Sequence, residues 1–402
     1  MRILLIHQSF VTPDEGGGTR HYEMCKYLVQ NGFDVNVITS KINYLSGKRR
    51  EVKKEIKEGI EIQYVNAYSE IKKNLFNRIL NYFAFSFFAF FAGLKIKNLN
   101  LIWGTSPPLF QALSAVCLSK IKRSFLLFEV RDLWIDFARE LGLVKNPLIH
   151  KIFKWVEKIL YVNADDIIVN SPGFLPFVRA NSIDNKITVF PNGVSLSEFE
   201  NIETKKIAKY KAEYRLDKKF IVLYAGNIGI ANDIENILAA AKTINKTIPE
   251  IVFVFIGGGV NVQLYEKQTH ENHLTNICFI PSQPKKDIPT ILKMGDVCLA
   301  TLKNIPLFNT TYPNKVFDYM AAERPVVLAI DGEIRKVVEK ANCGIFVPPG
   351  NPQKLVDAIV EYYNDKNLRK QHGENGGIYV RQHFDRQKIN MEFVNFLKNR
   401  EL

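Results

Sequence analysis

The chain opens Met1-Arg-Ile-Leu-Leu-Ile-His-Gln-Ser-Phe-Val-Thr-Pro-Asp-Glu-Gly-Gly-Gly-Thr-Arg20, and this stretch, read on to Thr39, decides the fold. Ile3 to Ile6 is a short apolar run of strand type, and Thr12 to Thr19 is turn chemistry. From Arg20 to Asn31, Tyr22, Cys25, Leu28 and Val29 recur at helical spacing, with Gly32 as the stop. Val35 to Thr39 then reads as a second buried strand. Strand, helix and strand of this length form one right-handed parallel unit of an α/β sheet.

The same style continues outward. Strand-like runs follow at Ile60–Val65, Leu101–Trp103, Phe125–Val130 and Ile167–Asn170, separated by helical stretches. A second series comprises Phe220–Ala225, Val252–Ile256, Ile277–Ile280, Val297–Ala300, Val326–Ala329 and Gly344–Val347. Two such series predict two doubly wound domains joined near Asn181–Thr188, with residues 1–185 in the first and 186–375 in the second. This agrees with 402 residues at roughly 100–200 per domain. Residues 376–402, including Phe384 and Phe393-Val-Asn-Phe-Leu397, read as a terminal helix that packs back on one domain, with the N-terminal one as the expectation.

Composition narrows the class. An apolar fraction of 47% with 24% charged residues is globular and excludes disorder, collagen and a disulfide miniature. Cys25, Cys117, Cys278, Cys298 and Cys343 are far apart and read as small buried residues of a reducing compartment. The apolar run at the N-terminus is too short for a signal peptide, and no segment has the roughly 18 uncharged apolar residues of a spanning helix. A cytoplasmic chain is expected. Of the net charge of +13, most lies between Lys41 and Lys158, where 21 Lys/Arg face 10 Asp/Glu. That surplus attracts phosphates of a nucleotide, a nucleic acid or an anionic membrane.

One segment fits neither an ordinary core nor a span. Ile79–Leu94 has no charge and six phenylalanines, Phe83, Phe85, Phe87, Phe88, Phe90 and Phe91. As a helix it is about 24 Å long, short of the roughly 30 Å hydrocarbon core. Lys72, Lys73 and Arg78 precede it, and Lys95 and Lys97 follow. Such a segment is either an aromatic core helix or a helix lying in a membrane interface, and the basic flanks favour the second. Trp134 and Trp155 read as packing residues.

Open parallel sheets bind ligands beyond the carboxyl ends of their strands, where glycine loops admit phosphates to backbone N–H groups. Gly16-Gly17-Gly18 precedes the first helix, and Ala225-Gly226-Asn227-Ile228-Gly229 follows a strand directly. In Tyr312-Pro-Asn-Lys315-Val-Phe-Asp318-Tyr-Met-Ala-Ala, Pro313 starts a helix and puts Lys315 in its first turn. A cation there opposes the helix dipole, and a bound diphosphate explains it. Asp318, three residues on and on the same face, suits ribose hydroxyls.

With these pieces in order, the chain resembles the retaining, nucleotide-sugar-dependent glycosyltransferases of GT-B fold, in the family-4 group that builds bacterial surface polysaccharides. The matching segments are Gly16–Arg20, Ile102-Trp-Gly-Thr-Ser-Pro-Pro-Leu109, Glu129-Val-Arg-Asp-Leu-Trp134, Pro191-Asn-Gly-Val194, Tyr224–Gly229, and Asn314–Ala322 with Pro325-Val-Val327. The resemblance implies two Rossmann-like domains facing across a cleft, the donor nucleotide in the C-terminal one and the acceptor in the N-terminal one. It assigns Gly16, Gly17, Gly226, Asn227 and Asp318 to the donor, and contacts around Ile280 to the base. Lys315 pairs with the phosphates. Arg131 and Asp132 stand near the reacting sugar, with Arg20 and Glu129 on the acceptor side.

Thr310 and Asp318 replace the two glutamates of the family's E-x7-E segment, and the Ala225–Gly229 loop lacks the arginine and lysine found in many members. With no D-x-D triplet in the sequence, the expected chemistry uses no metal and no cofactor. Fixed cationic and N–H donors stabilise the leaving diphosphate. The expected donor is UDP-linked, and the expected acceptor is a lipid-linked saccharide at the inner face of the cytoplasmic membrane. A GT-B nucleotide-sugar epimerase and a catalytically inactive membrane scaffold are the alternatives. Nucleic acid is not expected as a partner, because the aromatics do not interleave with Lys/Arg.

Overall fold

The computed structural model describes residues 1–15, 17–43, 47–68, 75–182, 186–200 and 202–400, without the side chains of 75 and 76. It divides into two compact units, Met1–Pro191 with Lys388–Leu402, and Asn192–Gln387.

The first unit is built on β1 (Arg2–Ile6), β2 (Asp34–Ser40), β3 (Lys54–Lys57), β4 (Ile60–Val65), β5 (Leu101–Ser106), β6 (Phe125–Val130), β7 (Asp166–Val169) and β8 (Lys186–Val189). Their order in the sheet is β3-β4-β2-β1-β5-β6-β7-β8. All neighbours are parallel except the β3–β4 pair. Both faces of the central strands are covered, which is why they read as unbroken apolar runs. On one face Ile3, Leu5 and Trp103 pack with Tyr22 and Leu28 of the helix Arg20–Gln30 and with Phe393 and Leu397 of the helix Arg386–Lys398. The Trp103 and Phe393 rings lie 5.0 Å apart between centroids.

The opposite face, reached by Leu4, carries the helices Leu75–Leu94, Leu109–Lys122 and Pro147–Asn163 side by side. The Phe83 and Phe110 rings (4.2 Å) and the Phe110 and Phe153 rings (5.4 Å) link the three. The aromatic segment is a helix with two faces. Tyr82, Phe85, Ala89 and Ala92 are core, while Leu80, Phe83, Phe87, Phe88 and Phe91 stand in solvent. Of its expected basic flanks, Lys72 and Lys73 lie outside the described residues. Trp134 packs on Phe153 as expected. Trp155 does not; it is 64% exposed. No helix among the described residues is long and apolar enough to cross a membrane.

The second unit holds β9 (Phe220–Ala225), β10 (Ile251–Ile256), β11 (Ile277–Ile280), β12 (Val297–Thr301), β13 (Val326–Ala329) and β14 (Gly344–Phe346). They form a parallel sheet of order β11-β10-β9-β12-β13-β14. The buried residues of alternate parity feed two cores, Leu223 and Val254 on one face and Val222 and Phe253 on the other.

Three expectations change. The stretch expected to join the domains carries β8, the last strand of the first sheet, and the division falls after Pro191. β8 is a short, half-exposed edge strand, so it has neither an apolar run nor a clean alternation. The charged edge strand β3 went unread for the same reason. The expected terminal helix is two helices. Lys366–His383 and the residue after it keep Val380 and Phe384 in the core of the second unit. Only Lys388 onward belongs to the first.

Candidate functional site

In the second sheet the strand order reverses between β9 and β12, the switch point at which open α/β sheets take ligands. The turns after β9 and β10 lie on one another there. Gly226 N–H donates to Ile256 O, Ile228 N–H to Gly258 O, and Gly257 N–H to Ile280 O. Gly257 has φ +147°, and a Cβ on it would stand 2.0 Å from Gly226 O. Only glycine meets both demands, the positive φ and the close backbone approach.

The helix Asn314–Ala321 begins beside these turns and brings Lys315 in its first turn over the end of β9. Lys315 Nζ donates to Tyr224 Oη at 2.7 Å and lies 3.8 Å from the centroid of that ring. Tyr224 in turn donates to Asn227 O at 2.8 Å, which leaves its oxygen as the acceptor for the ammonium. A Cβ on Gly226 would come within 3.2 Å of Lys315 Nζ, so the bare turn is what gives the amine its room. No carboxylate lies within ion-pair distance of Lys315 among the described residues. Burial without a counter-charge lowers its pKa to about 7.

Asp318 is half-buried one turn further along the helix. Burial raises its carboxyl to about 6, against the pull of Arg386. Arg386 ties this end of the unit to the Pro191-Asn-Gly-Val segment, donating to Asn192 O (3.0 Å) and Gly193 O (2.9 Å). Asn192 Nδ2 continues to Asn314 Oδ1 at 2.7 Å. Gly226 and Asn227 are both exposed. The Gly226 N–H is spent on Ile256, whereas the Asn227 N–H makes no backbone hydrogen bond among the described residues and can be offered to an anion. Ile280 is corrected outright. It is 1% exposed and part of the core, whereas the following Pro281 and Ser282 are exposed and Gln283 is half-buried.

The switch point of the first sheet lies between β1 and β5, and a charged cluster is buried there. Glu129 at the end of β6 accepts from Arg20 Nη1 and lies 2.7 Å from His21 Nε2. Arg20 also donates to Phe190 O at 3.2 Å. Glu129 is fully buried and Arg20 is 8% exposed. The expectation that these two face an acceptor is therefore corrected, because each is already committed to the other inside the protein. Arg20, His21 and Arg131 hold Glu129 well below the usual carboxylate range against the opposing effect of burial. Burial lowers His21 to about 4, more than the carboxylate raises it.

Arg131 and Asp132 are half-buried. Arg131 donates to Ser106 O (3.1 Å) and Pro107 O (2.7 Å), fixing the turn after β5. Burial lifts Asp132 to about 7 although Arg131 opposes it. Gly17 takes φ +125° in the loop after β1, while Gly16 lies outside the described residues. That loop is braced by Glu15, which receives Arg50 Nε (2.6 Å) and Nη2 (2.7 Å).

Sequence reasoning left one group unassigned. His7, at the end of β1, is 4% exposed with its ring 4.4 Å from His21. Neither ring nitrogen has a hydrogen-bond partner among the described residues. A lone histidine after a strand has no spacing to announce it. The Tyr224 rest for Lys315 was equally silent, since tyrosine in a strand reads as core.

Two family models match in chain order, Glycosyltransferase Family 4 over residues 15–198 and Glycosyl transferases group 1 over 206–377. A relative from Escherichia coli (strain K12), named as a candidate colanic acid biosynthesis glycosyl transferase, WcaI, is 24% identical across 99% of this chain and 100% of its own. Sucrose-phosphate synthase from Thermosynechococcus elongatus superposes with a TM-score of 0.80 at 19% identity, over 99% of this chain and 98% of that one. Anabaena HepE, solved in complex with UDP, gives 0.75 at 16% identity over 100% of both chains. The Glycosyltransferase Family 4 model thus falls on the first parallel-sheet unit and the Glycosyl transferases group 1 model on the second, and the two units have the GT-B fold of glycosyltransferases.

Proposed function

We propose that this glycosyltransferase moves a sugar, with retention at its anomeric carbon, from a UDP-sugar to a lipid-linked saccharide at the inner face of the cytoplasmic membrane. Surface-polysaccharide assembly is the process this reading serves. The observation that carries it is the half-buried Lys315 ammonium, with no counter-charge among the described residues and held open by Gly226 at the switch point of the second sheet. A diphosphate supplies the missing negative charge. HepE, of the same fold, was solved with UDP.

Transfer breaks the bond between the sugar's anomeric carbon and the diphosphate oxygen. The acceptor hydroxyl forms the new bond on the same face, and its proton leaves with the departing diphosphate. Negative charge grows on that oxygen as the bond opens, and a fixed ammonium beside it lowers the barrier. The Asn227 N–H adds a second donor, and Asp318 accepts from the ribose hydroxyls. This electrostatic set asks for no metal. Arg131 fixes the turn after β5, and Asp132 orients the acceptor hydroxyl.

UDP-sugars are expected to raise the unfolding temperature where other nucleotide sugars do not, since a ligand binding only the folded state stabilises it by mass action. With the stabilising donor, sugar is expected to appear on a lipid-linked saccharide, and free sugar is not expected without acceptor. Rapid release of an epimerised sugar in the absence of acceptor would make the protein an epimerase. No turnover of any donor would make it a scaffold.

A further inference from the structure

We infer that the three-helix face of the first unit is a monotopic docking surface for an anionic phospholipid bilayer. Its lysine-lined groove beside the aromatic helix seats the lipid headgroups. This rests on the reading of a membrane-borne acceptor and adds to it the surface that meets the membrane. The aromatic helix Leu75–Leu94 projects Phe83, Phe87 and Phe91 into solvent, and the helix Pro147–Asn163, two places along, projects Ile152 and Trp155. Phe87, Ile152 and Trp155 are 59%, 51% and 64% exposed. Apolar side chains so exposed on the two outer helices of one three-helix layer mark an interaction face rather than scattered surface residues. A tryptophan among them suits the boundary between headgroups and acyl chains.

Charge selects the partner. No acidic residue occurs between Glu70 and Glu129, the span that supplies two of the three helices. The third carries Glu157 alone, which is 3% exposed and paired with Lys154. An acidic protein surface would meet these lysines equally well, but it offers nothing to the bare phenylalanine face. A bilayer with anionic headgroups satisfies both.

The groove joins the two chemistries. A cavity of about 320 Å³ runs between the β3–β4 edge and the last turns of the aromatic helix. Lys41, Lys53, Lys54 and Lys95 line it together with Phe88 and Phe91, and no carboxylate does. None of the four ammonium groups is in an ion pair among the described residues. A larger cavity, about 810 Å³, shares Lys54, Gln63 and Lys95 with it, but there Glu55 and Glu61 join the lining and Arg2 is paired with Asp34, so the carboxylate-free groove is the one that suits a phosphate. A phosphate among the lysines with its acyl chain along Phe88 and Phe91 uses every kind of group present. Lysines on an edge strand also discourage strand pairing, but that role asks for neither Lys95 nor the adjoining phenylalanines.

The test is co-sedimentation of the full chain with vesicles of phosphatidylcholine alone and of equal parts phosphatidylcholine and phosphatidylglycerol. Binding is expected to the mixed vesicles only. The pair Lys53→Gln and Lys54→Gln should weaken it roughly fivefold per lysine. The pair Phe87→Ser and Trp155→Ser should weaken it on the order of a hundredfold. Both pairs are exposed, and each variant is checked by its unfolding temperature and by its stabilisation with UDP. Equal binding by both variants and the parent protein, or no binding to mixed vesicles, overturns the docking surface even where UDP still stabilises. Loss of UDP stabilisation in the parent protein strikes the donor reading instead.

Discussion

Replacing Lys315 by Met is expected to lower kcat/KM for sugar transfer on the order of 10²–10³-fold, the usual effect of removing one fixed donor from a developing oxyanion. Most of the loss should fall on kcat, because the charge that Lys315 meets grows as the bond to the diphosphate breaks. Met fills the space over Tyr224 without charge, so the unliganded protein should fold normally. The amine also sets a pH signature. Its pKa is about 7 in the folded protein against an ordinary 10.5. A diphosphate draws the proton back, so UDP binding takes up a proton between those values and weakens as pH rises through them. Without ligand the sign concerns stability. The unfolded chain holds the lysine proton up to 10.5 and the folded chain only up to about 7, so Lys315 makes stability rise with pH across that window. Both slopes should vanish in the Lys315→Met protein. Calorimetry in buffers of different ionisation enthalpy measures the first, and thermal unfolding against pH measures the second.

Glu129→Gln should destabilise the first unit by about 3–5 kcal/mol, because it leaves the buried Arg20 guanidinium without its counter-charge. For a unit of this size that is a fall of roughly 6–20 °C in unfolding temperature. A replacement at an exposed acceptor site would cost little stability and much activity, so scanning calorimetry separates a structural role from a substrate-facing one. The pH dependence follows from two groups. Glu129 titrates well below its ordinary value of 4.5, so the stability it gives is present above that value and is lost as pH falls through its folded pKa. His21 binds its proton at about 4 when folded and 6.5 when unfolded, so acidification across that interval also destabilises. Glu129→Gln should flatten the lower part of this profile and Arg20→Met should relieve the defect, since the stranded charge is then gone.

The parallel strands were legible because burial on both faces makes them continuous apolar runs, and Ile60–Val65, Phe125–Val130 and Phe220–Ala225 end where the sequence puts them. β3 and β8 were not, because edge strands carry charge and lack a second covered face. Lys315 could be singled out, since a cation in the first turn of a helix needs an explanation. Its resting place on Tyr224 could not, because that contact spans residues far apart in the chain. Arg20 and Glu129 show the opposite failing. Charged residues near a glycine loop suggest substrate contacts, and only the three-dimensional pairing reveals that they spend their charge on one another. The aromatic run alone cannot separate a core helix from a membrane-facing one, and the helix divides its sides between a packed face and a bare one.

The proposed chemistry depends on where the diphosphate sits, and a crystal structure of the UDP complex measures that directly. The β-phosphate is expected within about 2.7–3.2 Å of Lys315 Nζ, with the Asn227 N–H pointing at it and the ribose hydroxyls on Asp318. UDP bound away from the turn after β9, with Lys315 still resting on Tyr224 and touching no phosphate, would rule out Lys315 as the diphosphate's partner.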